Sequence, residues 1–175
     1  MTQLRERQLL LALVLIVAAA ALRLLPHPAN VTPIGALALF SGAHLQRRIF
    51  WLIPLGALLL GDFFHGLYEG VVMAAVYLGF LASAGVGRRL LSGGDGARRV
   101  ALAVGAGGLA FWAISNLGIW WVYRPLTLQG LIQCYFDGLP YLARSLIGDA
   151  AYALILFGTH RIARAKLAEG PVPAT

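Results

Sequence analysis

Residues 100–122 read V-A-L-A-V-G-A-G-G-L-A-F-W-A-I-S-N-L-G-I-W-W-V, without one charged side chain. A helix needs about 20 mainly apolar residues to cross the hydrocarbon core of a bilayer, and this run supplies them. Comparable runs lie on both sides, at residues 8–25, 49–67, 71–91 and 141–162. The segment S-G-G-D-G at 92–96 is a flexible turn between two of them. A shorter apolar segment, 34–45, follows Pro26, Pro28 and Pro33, which exclude continuous helix before it. It is too short for an upright span, so it either crosses with help from its neighbours or is partly re-entrant. Residues 126–139 read as a short, partly amphipathic piece near the surface. The expected fold is all-α: one domain over residues 1–168 with about six transmembrane helices, and a disordered tail at 169–175. The first run could be a secretory signal, since Arg5 and Arg7 precede it and alanines at 18–21 offer weak cleavage sites. A retained first helix is simpler, because the rest of the chain is itself multispan.

Composition agrees. Of 175 residues, 59% are hydrophobic and only 12% charged, about half the charged share of an average soluble domain. So few charges cannot give a soluble enzyme its polar skin. One cysteine, Cys134, excludes an internal disulfide and a multi-cysteine metal site. The net charge of +7 does not point to nucleic acid. The basic residues form short punctuation between apolar runs, as in cytoplasmic loops.

Their distribution sets the expected topology. With six crossings and both termini inside, the cytoplasmic segments hold Arg5, Arg7, Arg47, Arg48, Arg88, Arg89, Arg98, Arg99, Arg161, Arg164 and Lys166. Only Arg23, Arg124 and Arg144 of the 14 basic residues fall towards the other side. This asymmetry supports a crossing by the second segment.

Polar residues inside the apolar runs are the candidates for function. Counting the helical rise puts Arg23, Asp62, Asn116, Arg144 and Asp149 at similar heights in the outer half. Charges at that depth are too costly to face lipid. They should face inward and pair, Arg23 and Arg144 against Asp62 and Asp149. Two readings stay open: the pairs lock helices together, or they belong to a solute pocket open to the outside. The loops above carry ligand-type groups, including His27, Asn30, Trp120, Trp121 and Tyr135. Aromatic walls with a few placed polar groups are usual in a small-molecule site. The four histidines, His27, His44, His65 and His160, show no metal spacing, so neither a metal nor a cofactor is expected; His44 and His160 read as interfacial. Cys134 reads as a small packing residue. Gly105, Gly107 and Ala110, like the pair Ala38 and Gly42, read as helix-packing faces. No catalytic motif is present, so no enzyme is expected.

The stretch 23–40, R-L-L-P-H-P-A-N-V-T-P-I-G-A-L-A-L-F, resembles the opening of an uncharacterised family of small bacterial membrane proteins. So do N-L-G-I-W at 116–120, and Cys134-Tyr135 followed by Pro140, Arg144, Gly148 and Asp149. That family looks distantly similar to the substrate-binding (S) components of energy-coupling-factor vitamin transporters. The resemblance implies a six-helix bundle holding a vitamin-like solute in an outward-facing pocket. It also implies docking on an energy-coupling membrane subunit, usually through A-x-x-x-A in the first helix. Here Ala12 is followed four residues on by Ile16, so that pattern is missing. The expected function is solute binding and transport in the lipid bilayer. The rival is a non-transporting scaffold subunit whose buried ions only fix helix packing.

Overall fold

The computed structural model describes residues 10, 13–22 and 30–168. Among them are six helices and no strand. They are α1 (Leu13–Leu22), α2 (Ile34–His44), α3 (Leu52–His65), α4 (Gly70–Leu90), α5 (Ala97–Tyr123) and α6 (Leu128–Ala168). By length and composition α4, α5 and α6 could each cross a membrane, whereas α1, α2 and α3 are shorter apolar helices.

Local chemistry sets the boundaries. Glu69 caps α4 by accepting the Val72 N–H at 2.9 Å, and Arg88 and Arg89 sit in its last turn. Both charges suit the helix dipole. Thr127 accepts the Gly130 N–H at 3.1 Å and so starts α6. Gly66 ends α3 at φ 98°, a conformation that favours glycine. Asn30 holds φ 66° just before α2, where asparagine is among the better tolerated side chains.

One expected boundary is absent. The sequence placed a surface piece before Pro140 and a separate span after it. Instead α6 runs unbroken for 41 residues with Pro140 inside. Proline already has a helical φ, and it removes only one backbone donor from a helix long enough to continue on either side. The tail at 169–175 and residues 23–29 lie outside the described residues.

The short second segment is the centre of the bundle. Every residue of α2 from Ile34 to Gly42 is buried. On one side Ile34 and Leu37 pack with Ala19 of α1 and Ile53, Ala57 and Leu58 of α3. On the other, Ala36, Leu39 and Phe40 pack with Ala103 of α5 and Ala153 and Phe157 of α6. Glycines let α4 approach. A Cβ on Gly42 would collide with the Ala84 carbonyl, and one on Gly87 with the Leu39 backbone. The expected packing role of Gly42 is therefore met. Along α5, Gly107 and Gly108 face Leu39 and Leu146, but Gly105 faces open space. Ser83 of α4 donates to the Gly107 carbonyl at 2.8 Å, so its buried hydroxyl is satisfied.

Large apolar side chains also cover the outside. Phe63 and Leu154 are each 76% exposed and Ile147 is 69% exposed. Leu59, Leu78, Leu102, Leu109 and Leu117 extend this apolar exterior.

Candidate functional site

A cavity of about 510 Å3 opens beside the N-terminus of α2. Its walls are apolar and aromatic: Ile34, Leu58, Val76, Phe80, Phe111, Trp112, Ile119, Tyr141 and Leu142, with Tyr68 from the α3–α4 loop. Its polar groups come from three places. Asn30 and Thr32 precede α2, Ser115 and Asn116 lie on α5, and Ser145 and Asp149 lie on α6. The volume falls within the usual range for a small-molecule site.

Asp149 is 8% exposed. Its Oδ1 accepts the backbone N–H of Ala36 at 3.1 Å, so α6 caps the start of α2. The first N–H groups of a helix lack partners within it, and that end carries partial positive charge. A buried carboxylate there meets both needs. The approach requires glycine, because a Cβ on Gly35 would strike the Asp149 carboxylate. Next to it, Asn30 Nδ2 donates to Ser145 Oγ at 3.4 Å.

On α5 the Asn116 amide donates to the Trp112 carbonyl at 2.8 Å. The thiol of buried Cys134 points at the Asn116 carbonyl at 3.5 Å, in keeping with a packing role. The Trp112 indole nitrogen is buried and meets no acceptor. A Cβ on Gly138 would lie 2.8 Å from that nitrogen and 2.6 Å from Asn116 Oδ1. The absent side chain at Gly138 thus lets α6 pack directly against both groups.

Of the residues singled out from sequence, Asn30, Asn116 and Asp149 line the cavity. Asp62 is buried, 1% exposed, and accepts the Tyr77 hydroxyl at 3.0 Å, but it is not in the cavity wall. Arg23 and His27 lie outside the described residues, and so does any pairing of Arg23 with Asp62 or Asp149. The expected pairing of Arg144 with Asp149 is not formed. Arg144 is exposed and lies over the Tyr141 ring at 5.7 Å. Five residues on a helix correspond to a turn of about 140°, which puts the two side chains on different faces.

The three aromatic residues singled out from sequence lie elsewhere. Trp120 donates to the Pro125 carbonyl at 3.0 Å, and Trp121 is 61% exposed. Tyr135 stands behind the wall: its hydroxyl donates to the Ala113 carbonyl at 2.6 Å, and its ring meets Trp112 edge-on. None of the three lines the cavity. The walls are instead Trp112, Phe80 and Phe111, which sit among apolar neighbours and gave no contrast in the sequence. At the far end of α2, His44 and His160, expected at the cytoplasmic interface, come together. Their rings lie 4.1 Å apart beside Asp95.

The chain belongs to a family of unknown function, DUF6580, which it matches over residues 3–172. No curated protein and no solved structure matches it.

Proposed function

We propose that this DUF6580 member is an integral membrane protein that binds a small solute in the cavity beside α2 and helps it across the bilayer. The observation that carries the reading is the buried Trp112 indole N–H that lines the cavity without an acceptor. Buried donors in native proteins are nearly always paired. A solute with a carbonyl or ring-nitrogen acceptor would satisfy this one. Phe80, Phe111 and Tyr141 suit a flat, largely apolar body, so a vitamin-like heterocycle is the favoured class. The scaffold reading has one observation in its favour, the structural cap that Asp149 provides, but it gives the cavity no task.

Native mass spectrometry of gently extracted protein tests this. The parent should retain a small molecule. Trp112→Phe should lower its affinity about tenfold, the scale of one hydrogen bond. Gly138→Ala should weaken it as well by displacing the Trp112 and Asn116 side chains, whereas Trp121→Phe should leave it unchanged. A parent that retains nothing, and that no compound in a panel of water-soluble vitamins stabilises, would sink the proposal.

The apolar exterior and the three long helices support a membrane location. We place all six helices in the inner membrane, with both termini cytoplasmic and the cavity facing outward. Reporter fusions at Ser92 should then read inside and fusions at Glu69 outside. The reverse pattern would invert the bundle.

A further inference from the structure

Three separate elements meet at the C-terminal end of α2. His44 is its last residue, Asp95 belongs to the α4–α5 loop, and His160 lies on α6. His44 Nε2 is 3.5 Å from Asp95 Oδ2, and His160 Nδ1 is 3.6 Å from the same oxygen. The three atoms lie within 4.8 Å of one another. All three are buried, and none completes a hydrogen bond.

Three converging buried atoms without hydrogen bonds call for a shared partner. Their chemistry specifies it. Two imidazole nitrogens and one carboxylate oxygen are the donor set of catalytic zinc and of non-haem iron sites. Ligands about 2.0–2.2 Å from a tetrahedral ion stand about 3.3–3.6 Å apart. The two nitrogen–oxygen separations already have that length. The rings suit the role too. Two imidazolium ions so close would repel, while neutral imidazoles are the metal-binding form. Phe40 packs against both rings, at 4.6 and 5.4 Å, and holds them in place.

We propose that His44, Asp95 and His160 form a three-ligand site for one divalent first-row transition-metal ion, of which zinc is the type. Asp95 also borders an open groove carrying Arg161 and Arg164. This site is distinct from the solute cavity, at the opposite end of α2. The spacing of histidines along the chain could not show it, because its ligands come from three elements.

The test uses the full-length, untagged protein in detergent micelles. After incubation with Zn2+ and desalting, elemental analysis should find about one ion per chain. With Co2+ as the probe, visible d–d absorption should report low-symmetry coordination, and Zn2+ should quench it. Asp95→Asn and the double variant His44→Gln/His160→Gln should each weaken zinc binding at least about tenfold. The conservative changes keep side-chain volume, and the elution profile of each variant shows whether it is folded. Should either variant fail to fold, the parent's cobalt spectrum and zinc stoichiometry decide. A parent without bound zinc or cobalt absorption would overturn the proposal and leave a His–Asp–His ion-pair cluster. Undiminished binding by a folded variant would overturn it equally.

Discussion

Gly87→Leu should abolish accumulation of folded protein. The glycine faces the Leu39 backbone, and a Cβ alone would collide with it. A flexible side chain can swing aside, but a buried backbone segment cannot. Forcing extra atoms into a packed core typically costs about 1–3 kcal/mol, and occasionally more. The upper end is expected here, because the whole of α2 would have to move away from α4. That is a large fraction of the total stability of a domain. Gly85→Leu is the control: it lies on the same helix two residues away and faces open space. The readout is the monodisperse fraction after detergent extraction, compared at equal expression. If Gly87→Leu matched Gly85→Leu, the close approach of α2 and α4 would be wrong.

Asp149→Leu should be the second most damaging change. It leaves the Ala36 N–H buried without an acceptor, at a cost of about 1–3 kcal/mol. It also removes negative charge from the positive end of α2. Asp149→Asn keeps an oxygen for that N–H and should lose much less. Arg144→Gln, at an exposed position, should melt like the parent. Thermal melts of the three variants in one detergent check the order. An order in which Arg144→Gln is as harmful as Asp149→Leu would restore the pairing of these two residues.

These two cases also show what a sequence of this kind can convey. Long uncharged runs announce α4 and α5 because nothing else in such a chain is so uniform. The short segment at 34–45 is legible as an anomaly of length. Its burial is not, since a helix covered on all sides and one facing lipid are equally apolar. Asn30, Asn116 and Asp149 stand out as polar groups in or beside apolar runs, and they reach the cavity. Trp112, Phe80 and Phe111 reach it too, but they differ little from their neighbours. Trp120, Trp121 and Tyr135 were plausible by position and point elsewhere. Similar depth misled for Arg144 and Asp149, where helical phase decides. Pro140 misled because one missing donor does not end a long helix.

The central helix carries a final consequence. Its first turn receives the carboxylate of Asp149, and its last residue contributes to the histidine cluster. Only eleven residues separate the Pro33 cap from Leu45, about 16 Å of rise. Each end must present its groups at a fixed azimuth. An inserted or deleted residue would rotate one end by about 100° against the other. Most helices absorb such a change by shifting it into a loop, but here both ends are anchored to other elements. The spacing between Gly35 and His44 is thus a phase constraint, and it ties the two polar centres of the molecule to a single permitted length.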